Sequence, residues 1–133
     1  MKTTSFQQTI ELGISPDDFY RFFLNSSQHS MFTGSEAEMS DQVGEAFSVF
    51  DGYAHGKNLE LLPGKKIRQT WTADELAWAD FGPSIITLDL EETEEGGTRI
   101  RFSHEKVPPA IEKQLKDGWE EYYWSPLREL FPH

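Results

Sequence analysis

From residue 34 to residue 107 the chain, with one interruption, alternates apolar and polar side chains at every second position and is punctuated by turn residues. Consecutive antiparallel hairpins satisfy that pattern, and helices do not. "AFSVF" (46–50) runs into Asp51-Gly52, a type I′ turn signal, "YAHGKNLELL" (53–62) into Pro63-Gly64, a type II pair, and "KKIRQTWTA" (65–73) follows. "SIITLDLEE" (84–92) and "TRIRFSHEK" (98–106), joined across Glu95-Gly96-Gly97, make a further hairpin in which Ile86, Leu88 and Leu90 face as Ile100, Phe102 and His104 do. With "TTSFQQTIEL" (3–12), where Phe6, Ile10 and Leu12 take one face and Thr, Gln and Glu the other, the count is about six or seven strands.

Helices flank this meander. In "SPDDFYRFFLN" (15–25) Ser15 suits the N-cap, Pro16 the first helical position and the two Asp the positive helix end, while Phe19, Phe22 and Phe23 form an i, i+3, i+4 stripe. "SSQHSMF" (26–32) reads as a further helical turn of weak formers. From Pro108-Pro109 to the end the spacing predicts a long amphipathic helix with Ile111, Leu115, Gly118, Trp119, Tyr122, Pro126 and Leu130 on its buried stripe. Interior penalties of about 1 kcal/mol for Gly118 and about 3 kcal/mol for Pro126 must be offset by packing. Gly118 is expected to let the helix approach the sheet, and Pro126 to bend it. Between the hairpins, "DELAWADFGP" (74–83) shows no clean period, and Trp78 and Phe81 are expected to fold back onto the sheet or rim an opening.

Length and charge limit the function classes. At 133 residues the chain reads as one domain, 1–133, and a formal charge of −11 has the wrong sign for phosphate backbones or anionic lipid. No nucleic acid and no membrane span is expected as a partner. Ten Phe and four Trp supply a core despite the polar average. The absence of cysteine excludes disulfides and thiolate chemistry, and the N-terminus lacks an apolar leader core, so a cytoplasmic location is expected. The histidines at 29, 55, 104 and 133 fall in no metal-ligand spacing, and there is no G-x-S-x-G. No metal, cofactor or catalytic residue is assigned.

Strand parity places two polar side chains inward. Gln69 shares a face with Ile67 and Trp71, and His104 with Ile100 and Phe102. Each is either part of a satisfied core network, with a Tyr122 or Tyr123 hydroxyl as one partner, or a polar anchor for a ligand.

The order strand, helix, antiparallel meander, long C-terminal helix, together with "GEAFSVFDGYAHGKNLELLPGKKIRQTW" (44–71), "SIITLDLEETEEGGTRIRFSHEKVP" (84–108) and "GWEEYYWSPLREL" (118–130), resembles the family named after the activator of the ninety-kilodalton heat-shock chaperone ATPase, within the START-like (SRPBCC) superfamily. The resemblance implies an α+β helix-grip fold, in which a curved antiparallel sheet wraps around the C-terminal helix, with short helices after the first strand. It further implies a pocket for a small apolar or aromatic molecule between sheet and helix. Phe47, Leu59, Trp71, Ile86 and Phe102 would line it from the sheet, Phe23 and Phe32 from the short helices, and Trp119, Tyr122 and Tyr123 from the last helix, with Gln69 and His104 as polar anchors. A chaperone-associated interaction domain is the alternative, with a chaperone as partner. A third reading is an enzyme using His104 and a tyrosine. Monomer and homodimer both fit.

Overall fold

Capping and turn chemistry set the boundaries of the elements, and strand alternation sets which faces meet. The computed structural model describes residues 2–133, the Leu76 side chain apart. In chain order these are β1 (Thr4–Leu12), α1 (Pro16–Leu24), α2 (Ser26–Thr33), β2 (Ala46–Val49), β3 (Ala54–Leu62), β4 (Lys66–Ala73), β5 (Ser84–Glu92), β6 (Thr98–Val107) and α3 (Glu112–Trp119), followed by a π-helical turn (Glu120–Trp124) and α4 (Ser125–Leu130). The six strands form one antiparallel sheet in the order β1-β6-β5-β4-β3-β2, and an isolated bridge from Glu38 to Ser48 extends it beyond β2. This is the helix-grip arrangement: a curved sheet, short helices after β1, and a C-terminal helix laid on its concave face.

The β5–β6 register pairs Ile86 with His104, Leu88 with Phe102 and Leu90 with Ile100, as their shared parity requires. Ser15 Oγ accepts a hydrogen bond from Asp18 N at 3.2 Å, which starts α1 and turns Phe19, Phe22 and Phe23 into the core. The weak formers of 26–33 are a full helix because both ends are capped. Asn25 Oδ1 accepts from Gln28 N at 2.9 Å, and Gly34 closes the other end in left-handed backbone.

Two local readings are corrected, while both hairpin turns form as expected: Lys65 N donates to Leu62 O at 2.9 Å across Pro63-Gly64, and Tyr53 N donates to Phe50 O at 3.1 Å across Asp51-Gly52. Phe50, Asp51 and Gly52 all take positive φ (54°, 57° and 89°), giving a four-residue loop that aims the Phe50 ring at the C-terminal helix. Leu59 does not face inward. Ala54, Gly56 and Asn58 share the inward parity of β3, which leaves Leu59 38% exposed, and the register shift between Asn58 and Glu60 is a bulge that reverses the parity so that Leu61 packs on the core. Gln8 belongs to the inner face of β1, where its Oε1 accepts from Trp124 Nε1 at 2.7 Å and its Nε2 donates to Lys116 O at 3.2 Å.

The C-terminal helix departs most from a regular 3.6 period. Ser125 N bonds back to Glu120 O, five residues earlier, and this π turn inserts one residue into the stripe. The buried set is Ile111, Trp119, Tyr123, Trp124 and Leu127, whereas Tyr122 and Leu130 point out. The wide turn immediately precedes Pro126, the residue with no N–H to offer the Tyr122 carbonyl.

Candidate functional site

The interior beneath the helix is filled by rings. Trp119, 3% exposed, lies 4.5 Å from Phe102, 4.5 Å from Tyr123, 5.6 Å from Trp124 and 5.8 Å from Trp71, between ring centroids. Phe23, Phe32, Phe47, Ile86 and Phe102 are all buried in this core.

The inward polar residues resolve into two satisfied networks. Trp119 Nε1 donates to His104 Nδ1 at 3.2 Å, so the proton of the neutral imidazole sits on Nε2, which reaches Ser84 Oγ at 2.7 Å. Ser84 in turn donates to Trp71 O at 2.5 Å. Both ring nitrogens are engaged, and burial pushes the His104 pKa down to about 3. Gln69 Nε2 donates to Asn58 Oδ1 at 2.9 Å, and Asn58 Nδ2 to the carbonyls of Ser40 and Gln42 at 2.8 and 3.0 Å. Neither network uses a tyrosine.

The histidine that meets a tyrosine is His29, whose role the sequence pattern did not signal. Its Nδ1 lies 2.9 Å from Phe23 O and must carry the proton, so Nε2, also at 2.9 Å, accepts from the Tyr123 hydroxyl. Burial lowers its pKa to about 4 against the opposing Phe23 bond, and burial raises that of Tyr123.

Of the twelve residues assigned to a pocket, Trp71, Trp119, Tyr122 and Tyr123 come together on a groove of about 840 Å³. It opens between the C-terminal helix and the β2–β4 end of the sheet, and Phe50 and Tyr53 from the left-handed loop complete its aromatic wall. Phe50 meets Tyr123 and Tyr122 edge-on at 5.6 and 5.8 Å. Glu75, Asp117 and Glu121 bring carboxylates to the groove, with Lys113 as the ammonium. The Tyr53 hydroxyl donates to Glu75 Oε1, and burial followed by that bond raises its pKa. Lys113 Nζ lies 2.8 Å from Asp117, and the bond to that carboxylate raises its pKa too. Sequence parity missed the acidic residues because they lie on a turn and on the outer face of the helix.

Gly118 does not serve close packing. A Cβ built there meets nothing within 4 Å, since the residue lines the groove rather than the sheet. Gly118→Ala is therefore expected to stabilise the protein by roughly 0.5–1 kcal/mol through helix propensity. A urea midpoint that falls would restore a packing role. Gly56 is the contrasting case, because a Cβ there would lie 1.9 Å from Thr70 O.

No helix among the described residues is long and apolar enough to cross a membrane, and no group of three or more His, Asp or Glu is placed to hold a metal ion. A family model described as "Activator of Hsp90 ATPase homolog 1-like protein" matches residues 14–132. The chain is 27% identical over 123 residues to an activator of 90 kDa heat shock protein ATPase homolog of Dictyostelium discoideum, covering 92% of this chain and 32% of that protein. It is 26% identical over 117 residues to the Homo sapiens homolog 1, covering 88% and 34%. The chain thus spans about a third of the length of these relatives. Among solved structures, an HSP90 activator from Plasmodium falciparum superposes with TM-score 0.85 at 24% identity, covering 96% of this chain and 97% of that one. An Aha1 dimer from Colwellia psychrerythraea superposes with TM-score 0.76 at 18% identity, covering 94% of each. Both likenesses are of fold.

Proposed function

The chain belongs to the Activator of Hsp90 ATPase homolog 1-like protein family, and from that premise we propose that it is a cytoplasmic, chaperone-associated interaction domain. The observation that carries this reading is that relatives matched across most of the chain are named as activators of the 90 kDa heat-shock protein ATPase. The filled interior agrees with a role exercised at the surface. With a formal charge of −11, association with a basic patch on the chaperone weakens as salt rises. Purified chain and a 90 kDa heat-shock chaperone should co-elute at 25 mM salt, with at least tenfold weaker binding at 300 mM, these being about a 20 Å and a 6 Å screening length. Absence of binding at low salt would remove the reading.

A second reading is favoured by the groove itself: a small apolar or aromatic molecule held against Trp71, Trp119 and Tyr123. Its volume lies within the roughly 300–1,000 Å³ of small-molecule sites. Native mass spectrometry of protein purified without denaturant should then show a noncovalent adduct, lost in Gly118→Leu.

A further inference from the structure

We propose that the groove selects a positively charged ligand: an organic monocation, ammonium or guanidinium, carried on an aromatic or alkyl body. The inference rests on the second reading above and adds the charge of the occupant.

The walls and the rim of the groove differ in chemistry. Tyr53 and Tyr122, 39% and 52% exposed, bring rings to the groove above a continuous series formed by Phe50 and the buried Tyr123, Trp119 and Trp71, whose neighbouring centroids are 5.6, 4.5 and 5.8 Å apart. The negative faces of such rings attract cations, most strongly where water is thinned. The rim carries three carboxylates against one ammonium. That ammonium, on Lys113, is bound by Asp117, and its side chain is 90% exposed. Glu75 and Glu121 have no ion-pair partner among the described residues. Glu75 instead holds the Tyr53 hydroxyl and a long 3.4 Å contact from Gln114 Nε2. Glu121 is next to Tyr122, and its carboxylate raises the pKa of that hydroxyl. Two unneutralised carboxylates beside an aromatic wall repel an anion, are indifferent to a neutral ring, and attract a cation whose body can lie on the accessible rings of Phe50, Tyr53 and Tyr122.

The helix is also shaped for an occupant. Gly118 lowers helix stability without relieving any contact, and its missing side chain is what leaves the groove open to the helix backbone. Phe50 is held at φ 54°, a region that bulky residues rarely adopt, and its ring forms one end of the groove.

The test uses three probes that share a phenyl body. Phenethylammonium, 2-phenylethanol and phenylacetate are titrated into the isotopically labelled full chain at low ionic strength, and the Trp71 and Trp119 indole and Gly118 amide signals are followed. Phenethylammonium should give saturable shifts at these groups, with 2-phenylethanol at least tenfold weaker and phenylacetate silent. The double substitution Glu75→Gln and Glu121→Gln, which keeps an acceptor for Tyr53, should weaken phenethylammonium at least tenfold and leave 2-phenylethanol unchanged. Gly118→Leu should abolish both. Equal affinity for the ammonium and the alcohol would overturn the charge selection and leave the ligand reading standing. No binding by any probe would overturn both, and unchanged phenethylammonium affinity in Gly118→Leu would move the site elsewhere.

Discussion

Trp119→Ala is expected to remove about 4 kcal/mol or more of folding stability. Truncating a buried Trp or Phe to alanine removes about 3–5 kcal/mol through lost transfer energy and the cavity left behind. Trp119 stands at the high end because four large aromatic side chains from three elements converge on it: Phe102 from β6, Trp71 from β4, and Tyr123 and Trp124 from the π turn. It is also a donor. Without its indole N–H, the Nδ1 of fully buried His104 has no partner, which adds roughly 1–3 kcal/mol. Trp119→Phe separates the two contributions, since it keeps a ring in place and forfeits only part of the packing and the hydrogen bond. Against a typical total of about 5–15 kcal/mol, the alanine variant is expected to be partly unfolded at 37 °C. Urea denaturation of both variants provides the measurement, and a loss below about 1 kcal/mol for the alanine variant would mean that the interior is not organised around this ring.

The same residue shows what a sequence of this kind makes legible. Trp119 reads as buried because helical periodicity places it on the stripe with Ile111 and Leu115, and the sheet beneath it is readable from parity alone. Tyr122 and Leu130 read as buried for the same reason and are exposed, because one inserted residue in the π turn rotates everything after Trp119. Periodicity assumes a constant number of residues per turn, so it cannot register such an insertion. The bulge at Asn58 and Leu59 is the sheet's version of the same failure: one extra residue reverses parity locally. The groove needed more than periodicity. Its aromatic wall could be anticipated at Trp71, Trp119 and Tyr123, but its acidic rim comes from a turn after β4, from the outer face of α3 and from the π turn, whose meeting depends on tertiary placement. Gly118 is legible only as an expense. That the expense relieves no contact is visible only once the empty space around it is known.

Lowering the pH from 7 to 4 is expected to destabilise the fold by several kcal/mol, with most of the loss between pH 6.5 and 4. His29 and His104 are buried neutral, and burial depresses their pKa values from 6.5 to about 4 and about 3. In this interval the unfolded chain binds protons at both sites and the folded chain does not, so stability rises with pH. The contribution is fully present above the unfolded value of 6.5 and is lost as the pH falls towards the folded values. Each histidine accounts for about 3 kcal/mol by pH 4. The groups against His29 are the Phe23 carbonyl and the Tyr123 hydroxyl, and those against His104 are Ser84 and the Trp119 indole. None is a carboxylate that could stabilise an imidazolium. Glu91 and Glu112 act further down: Arg99 holds the first and Thr4 the second below the ordinary carboxylate range, so their contributions disappear only in stronger acid. Urea midpoints measured every half unit from pH 7 to 4 should therefore fall continuously, and the imidazole signals of His29 and His104 should not titrate above pH 5. Replacing His29 with Gln should lower stability at pH 7 yet flatten the pH dependence by the share of one proton, which a purely structural loss would not do. A midpoint that stays constant down to pH 4.5 would mean that the two imidazoles are protonated inside the fold, and the Trp119 hydrogen bond to His104 would then have to break and the Tyr123 bond to His29 reverse.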